Sequence, residues 1–139
     1  MVWSCLVSIL PGMAQTEKLT DYVNPFVGTD GYGNVYPGAQ IPFGGIQISP
    51  DTDSRFYDAA SGYKYNHLTL MGFSLTHLSG TGIPDLGDFL FIPGTGEMKL
   101  EPGTHEDPDQ GYRSRYSHDK EWASPNYYAV ELADYGVKA

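Results

Sequence analysis

Cysteine is almost missing from this 139-residue chain, where Cys5 is the only one. That rules out a disulfide framework, and no Cys/His spacing suggests a zinc site. Basic residues are also scarce, with 8 Lys and Arg against 17 Asp and Glu and a formal net charge of -9. A nucleic-acid backbone recruits clustered cations, so this balance argues against nucleic acid as a partner. No apolar run reaches the ~18 residues needed to span a membrane. Beyond the first residues, no stretch carries a convincing helical period. Familiar catalytic signatures are absent as well: there is no phosphate-binding G-x-x-x-x-G-K-[ST] and no H-E-x-x-H. Gly80-Thr81-Gly82 starts like a dinucleotide loop but lacks the third glycine, and Pro84 spoils the helix that should follow. Ser74 and Ser79 do not sit in G-x-S-x-G. Asp107-Pro108-Asp109-Gln110-Gly111 lacks the full spacing of a calcium-binding EF-hand loop and reads as a solvated acidic loop.

Aromatic and turn-forming residues are abundant. Eleven Tyr and 6 Phe accompany 17 Gly and 10 Pro, a composition of many turns and few long helices. The length suits one domain or part of one, with a modest single core. An acidic, tyrosine-rich surface suits a neutral polyhydroxy ligand or a cation. Residues 1–15 carry no charge. Residues 2–10 read as the apolar core of a secretory signal, with Gly12-Met13-Ala14 as cleavage spacing before Gln15. The positive start of such a signal is missing, and a buried N-terminal strand is the alternative. If the signal is removed, Cys5 goes with it.

Sequence period favours strands. Gly45-Ile46-Gln47-Ile48-Ser49 alternates, which predicts a strand with Ile46 and Ile48 on one face. Phe89-Leu90-Phe91-Ile92 is short, continuous and closed by Pro93-Gly94, which predicts a strand covered on both sides. In residues 127–137, Tyr128, Val130 and Leu132 fall on one face and Glu131 on the other. Residues 134–139 read as the middle of a strand–turn–strand passage, so part of a larger sheet is expected. The fold expected is all-β with long loops, an antiparallel β-sandwich before a barrel.

Two clusters point to a ligand. Thr76-His77-Leu78-Ser79-Gly80-Thr81-Gly82 packs an imidazole, hydroxyls and exposable backbone into seven residues, and Asp85 and Asp88 follow. Sugar hydroxyls need donors and acceptors at close range, with glycine letting the backbone approach. Equally, His77 could be a satisfied structural histidine, Ser79-Gly80-Thr81 a self-bonded turn, and Asp88 only a fixative for the loop. The second cluster is Phe56-Tyr57-Asp58 with Gly62-Tyr63-Lys64-Tyr65. Its rings could stack on the C–H face of a pyranose while Asp58 takes the hydroxyls, or they could simply fill the core.

An ordered series of motifs carries a family resemblance. It runs Tyr22-Val23-Asn24-Pro25-Phe26-Val27-Gly28-Thr29, Tyr36-Pro37-Gly38-Ala39, Pro42-Phe43-Gly44, Ser49-Pro50-Asp51, Ser61-Gly62-Tyr63 and Gly72-Phe73-Ser74. Thr76-His77-Leu78-Ser79-Gly80-Thr81-Gly82, Asp85-Leu86-Gly87-Asp88, Ala123-Ser124-Pro125-Asn126-Tyr127-Tyr128 and Asp134-Tyr135-Gly136-Val137 complete it. From residue 19 to its end the chain resembles the N-terminal part of a glycoside hydrolase family 92 α-mannosidase. The resemblance implies an incomplete N-terminal β-sandwich over residues 19–139, joined in the family to a C-terminal (α/α)6 barrel. It implies calcium-dependent, inverting, exo-acting removal of α-linked mannose from glycans, α-1,2 by preference, in a periplasmic or secreted protein. The family's acid and base, and most calcium ligands, lie in the barrel, so no catalytic or metal-binding residue is expected here. Tyr57, Asp58, His77, Ser79, Gly80 and Thr81 are the expected substrate-binding residues. Tyr57 stands where the family often has tryptophan, and Leu75 where many relatives have histidine; both bear on linkage preference. A non-catalytic carbohydrate-binding β-sandwich using the same loops is the rival reading.

Overall fold

A computed structural model describes residues 17–53, 57–80, 82–84 and 87–139. The expected signal segment, Cys5, Phe56, Thr81 and Asp85 lie outside those residues. Among the described residues eight short strands follow in order: β1 Ser49–Asp51, β2 Thr69–Leu70, β3 Gly72–Ser74, β4 Leu90–Phe91, β5 Ser114–Arg115, β6 Glu121–Ser124, β7 Tyr127–Leu132 and β8 Val137–Lys138. Helical structure among the described residues is confined to 3-10 turns at Leu19–Tyr22, Tyr57–Ala59, Pro108–Gln110 and His118–Lys120. The fold is all-β and every pairing is antiparallel, in sheets ordered β1-β3-β4, β2-β5 and β6-β7-β8.

The longest pairing follows from local chemistry. Ser124 pairs with Tyr127, leaving Pro125-Asn126 as a two-residue connection. Proline fixes the first position, and Asn126 takes φ 62°, a left-handed conformation that asparagine tolerates better than most residues. From there β7 runs as read. Val130 and Leu132 are fully buried, and Tyr128 packs beside them. Glu131 points the other way, toward Lys120 at 3.3 Å. Leu70, Tyr116, Val130 and Leu132 form the core, with Phe73, Ile92 and Tyr135 packed against it. Each such aliphatic side chain contributes about 1.5–3 kcal/mol by leaving water.

Two strand expectations are corrected. The segment 45–49 is not a strand until Ser49, and Ile46 and Ile48 are exposed. Phe43 holds φ 62°, and the chain turns through residues 41–44, where Gly44 N bonds Ile41 O at 3.0 Å. Only single contacts follow, Gln47 N to Leu75 O and an Ala39–Ile48 bridge, so the alternation never meets a covering layer. The run 89–92 is likewise not covered on both sides. β4 is two residues long and pairs only with β3, which leaves Phe89 65% and Phe91 58% exposed.

Buried polar hubs tie the loops to this frame. Glu121 is 7% exposed and accepts hydrogen bonds from the Tyr63 and Tyr128 hydroxyls and from His118 Nδ1 (2.6 Å). The His118 ring stacks on Tyr65 at 3.9 Å and its Nε2 bonds the Tyr65 carbonyl. Burial pushes the Tyr63, Tyr116 and Tyr128 hydroxyls well above the ordinary tyrosine range, and the Glu121 charge adds to the effect. Arg113 is buried and donates to Thr52 O (2.6 Å) and Thr69 Oγ1 (3.1 Å), which fixes the chain just after β1.

Candidate functional site

β3 ends at Ser74, and the chain enters the loop singled out in the sequence. Its neck is closed twice. Gly87 N donates to Thr76 O at 2.9 Å, and Thr76 Oγ1 donates to Asp88 Oδ2 at 2.8 Å. Asp88 therefore fixes the loop's base.

His77 turns inward. It is 5% exposed, and its Nδ1 lies 2.7 Å from Gln47 O while its Nε2 lies 3.0 Å from Asp51 Oδ1. Gln47 O and Asp51 Oδ1 are both acceptors, and together they fix the orientation of the ring. Ser74 Oγ also sits 3.0 Å from Nε2. This Ser–His–Asp grouping is not a nucleophilic triad: serine and aspartate share one nitrogen, and a carbonyl holds the other. His77 is thus built to hold the loop against β1, with Tyr36 packed on its ring at 4.9 Å.

Ser79 and Gly80 point outward and are exposed. Gly80 N bonds Asn34 O at 2.7 Å, so the glycine-rich segment before Tyr36 is the loop's neighbour. Burial raises the Tyr36 hydroxyl above its ordinary range, and a hydrogen bond with Ser79 opposes that shift. Tyr57, in the turn Tyr57–Ala59, is 62% exposed and tilts toward the exposed Tyr32, with ring centroids 6.3 Å apart. Its ring lies on Gly82, where a Cβ would come within 2.4 Å of Cε2. Two distant segments meet because residue 82 has no side chain.

Of the expected sugar-site residues, His77 faces in while Ser79 and Gly80 of the same loop are exposed, and the exposed Tyr57 meets that loop at Gly82. Asp58 lies in the same 3-10 turn as Tyr57, and Thr81 is outside the described residues. Beneath the loop is a cavity of about 280 Å³ walled by Asp51, Ser61, Thr76 and His77, with Met71 and Leu90 among its apolar residues. Asp51 and Ser61 were not expected there. Asp51 stands 26 positions before His77 and Ser61 ten after Asp51, so no local spacing betrays the grouping. Gly62, at φ +89°, makes it possible, since a Cβ there would lie 2.2 Å from Asp51 Oδ1. The acidic loop at 107–111 is structural. Both oxygens of Asp109 receive Arg115, which holds that carboxyl below the usual range and also bonds Asp134.

Comparison with known proteins adds the following. Residues 22–139 match the glycosyl hydrolase family 92 N-terminal domain. An uncharacterized secreted glycosidase of Arthroderma benhamiae is 30% identical over 113 residues, covering 80% of this chain and 14% of that protein. A solved glycosyl hydrolase of the gh92 family superposes with a TM-score of 0.67 at 32% identity, over 86% of this chain and 16% of its own. The inverting family 92 mannosidase of Bacteroides thetaiotaomicron shares the fold, with a TM-score of 0.55 at 24% identity and the same coverages of 86% and 16%. The chain thus spans only 14–16% of the length of these relatives.

Proposed function

The chain belongs to glycoside hydrolase family 92 through that family's N-terminal domain, and on that premise we propose that it serves an exported, inverting, exo-acting α-mannosidase. Its substrate is α-linked mannose at the ends of glycans, α-1,2 by preference. The domain contributes sugar-site loops, and the acid and base come from a further (α/α)6 domain.

One observation supports the loop role above the rest. The exposed Tyr57 ring lies on Gly82 of the same loop that carries the outward Ser79-Gly80 turn, and that loop is held by its neck and by a buried histidine. An aromatic face covers the C–H side of a pyranose, while hydroxyls and exposed backbone answer its oxygens. His77 then acts by orienting the loop. Inverting hydrolysis needs two carboxyls roughly 6.5–9.5 Å apart with a water between them, and no pair in this chain is assigned those roles. Calcium is the cofactor the family implies. Among the described residues no group of three or more His, Cys, Asp or Glu could hold a metal ion. The described residues therefore do not fit a metal site of that kind. The secreted relative supports export.

The test compares the full-length protein with the 139-residue chain on an aryl α-mannoside with calcium present. Turnover is expected from the first and not from the second. Hydrolysis by rigorously purified short chain would overturn the placement of the acid and base. A full-length protein inert on every α-mannoside, but retaining glycan affinity, would favour a carbohydrate-binding module.

A further inference from the structure

The core of this chain is open at one margin. Beside the cluster of Leu70, Tyr116, Val130 and Leu132 lies a groove of about 310 Å³, walled by Ile48, Phe73, Phe91, Tyr128 and Ala139 among others. Phe91 stays 58% exposed there and Ile48 39%. The described wall carries no charged side chain. Its polar groups are Ser49 and the Tyr128 hydroxyl, which is committed to Glu121. Cross-strand pairing puts Phe73 and Phe91 on one face, and Phe73 meets Tyr128 edge to face at 6.0 Å. An apolar surface continuous with the core marks a place built to be covered. We propose that a β-strand of the same polypeptide covers it, one that continues β8 past Ala139 and sets an apolar side chain at every second position into the groove.

Register selects this occupant. Beyond the Leu132–Val137 and Glu131–Lys138 pairs, Val130 and Ala139 exchange both backbone hydrogen bonds, at 2.9 and 3.0 Å. The ladder is therefore intact at Ala139. Extended in the same register, its next position faces Ala129 and the one after faces Tyr128, on the groove. Directly paired residues share a face, so that second side chain points where the Tyr128 ring does. The relatives have length for such a strand: this chain covers 14–16% of each, and the family domain it matches is the N-terminal one. A second copy is the poorer occupant, because it would bring two molecules of net charge -9 face to face. The inference rests on the reading of this chain as part of a longer enzyme. It adds which face the following polypeptide meets and the side-chain pattern that fits there.

In the full-length protein, Phe91→p-benzoylphenylalanine places a photo-crosslinker on the exposed wall of the groove. After irradiation and proteolysis, mass spectrometry is expected to find the adduct within one chain, on the peptide that directly follows Ala139. An adduct joining two copies, an adduct on a distant part of the chain, or a folded monomer with none would each overturn the inference. Hydroxyl-radical footprinting of the unsubstituted full-length protein checks the same point without a bulky probe. Phe91 should be oxidised several-fold more slowly than in the protein unfolded with guanidinium, and equal rates would refute the cover. Hydrolysis of an aryl α-mannoside by the same preparation separates this inference from the broader reading. Turnover without the expected adduct sinks the covering strand and leaves the mannosidase standing; the adduct in an inert protein does the reverse.

Discussion

Replacing Gly62 with alanine should damage the candidate site and the fold together, by an amount that can be worked from the structure. Gly62 sits at φ +89°, where an L residue is strained by about 1–2 kcal/mol. The added Cβ would lie 2.2 Å from Asp51 Oδ1 and 3.0 Å from His77 Cδ2. Neither neighbour is the free end of a flexible side chain, since both are buried and bonded to each other. Moving Asp51 aside leaves His77 Nε2 without its carboxylate, a loss of about 1–3 kcal/mol. The backbone resists relief as well, because Gly62 O receives both Thr52 N (2.7 Å) and Asp53 N (3.1 Å). The sum is about 2–5 kcal/mol, against a total stability of about 5–15 kcal/mol for a domain. A drop in melting temperature on the order of 10–20 °C follows for a chain of this size. Near-ultraviolet circular dichroism would follow the melt, and the His77 ring nitrogens in NMR would report the local break. Gly45→Ala is the control, since its Cβ would meet nothing within 4 Å. It should change stability by no more than about 0.5 kcal/mol. If Gly62→Ala melts like Gly45→Ala, the argument that this glycine makes room for the Asp51–His77 pair is wrong.

His77→Ala in the full-length protein should keep measurable turnover, reduced roughly ten- to a few-hundred-fold, with a loss of about 1–3 kcal/mol in stability; abolished activity in a well-folded variant would mean that His77 does more than orient. Glu121→Gln removes the charge that His118 meets at the buried hub and should cost about 3–5 kcal/mol, read as a shift in denaturation midpoint. Alkaline pH should unfold the domain for a stated reason. Tyr63, Tyr116 and Tyr128 are held neutral by burial, so above the ordinary tyrosine pKa of about 10 the unfolded chain releases protons that the folded chain keeps. Stability is then full below about pH 10 and falls as pH rises further, and tyrosinate absorbance should grow in step with loss of structure. Phe89→Lys should raise the solubility of the isolated chain with little change in its melt, because Phe89 is exposed beside the unpaired edge of β4.

The sequence by itself determined the class of the fold and the identity of its best strand. Alternation in residues 127–132 is a backbone property, since successive side chains of a strand face opposite ways. Val130 and Leu132 had to share a face whatever packed against it. Pro125-Asn126 fixed the hairpin for an equally local reason. The motif series also reached the family, because many weak local constraints in a fixed order are jointly specific. What stayed out of reach was everything set by partners. Ile46, Ile48, Phe89 and Phe91 are apolar enough to be buried, yet exposure depends on whether another layer lies over them. Composition carries no record of that. His77 was legible as a residue of interest, but not the direction of its ring, which Gln47 and Asp51 decide from 30 and 26 positions away. Asp51 and Ser61 show the same limit, since they share a cavity wall only once the chain has folded. Hydrogen-bond satisfaction is a property of the finished three-dimensional arrangement, and so the most specific feature of this site belongs to the tertiary structure alone.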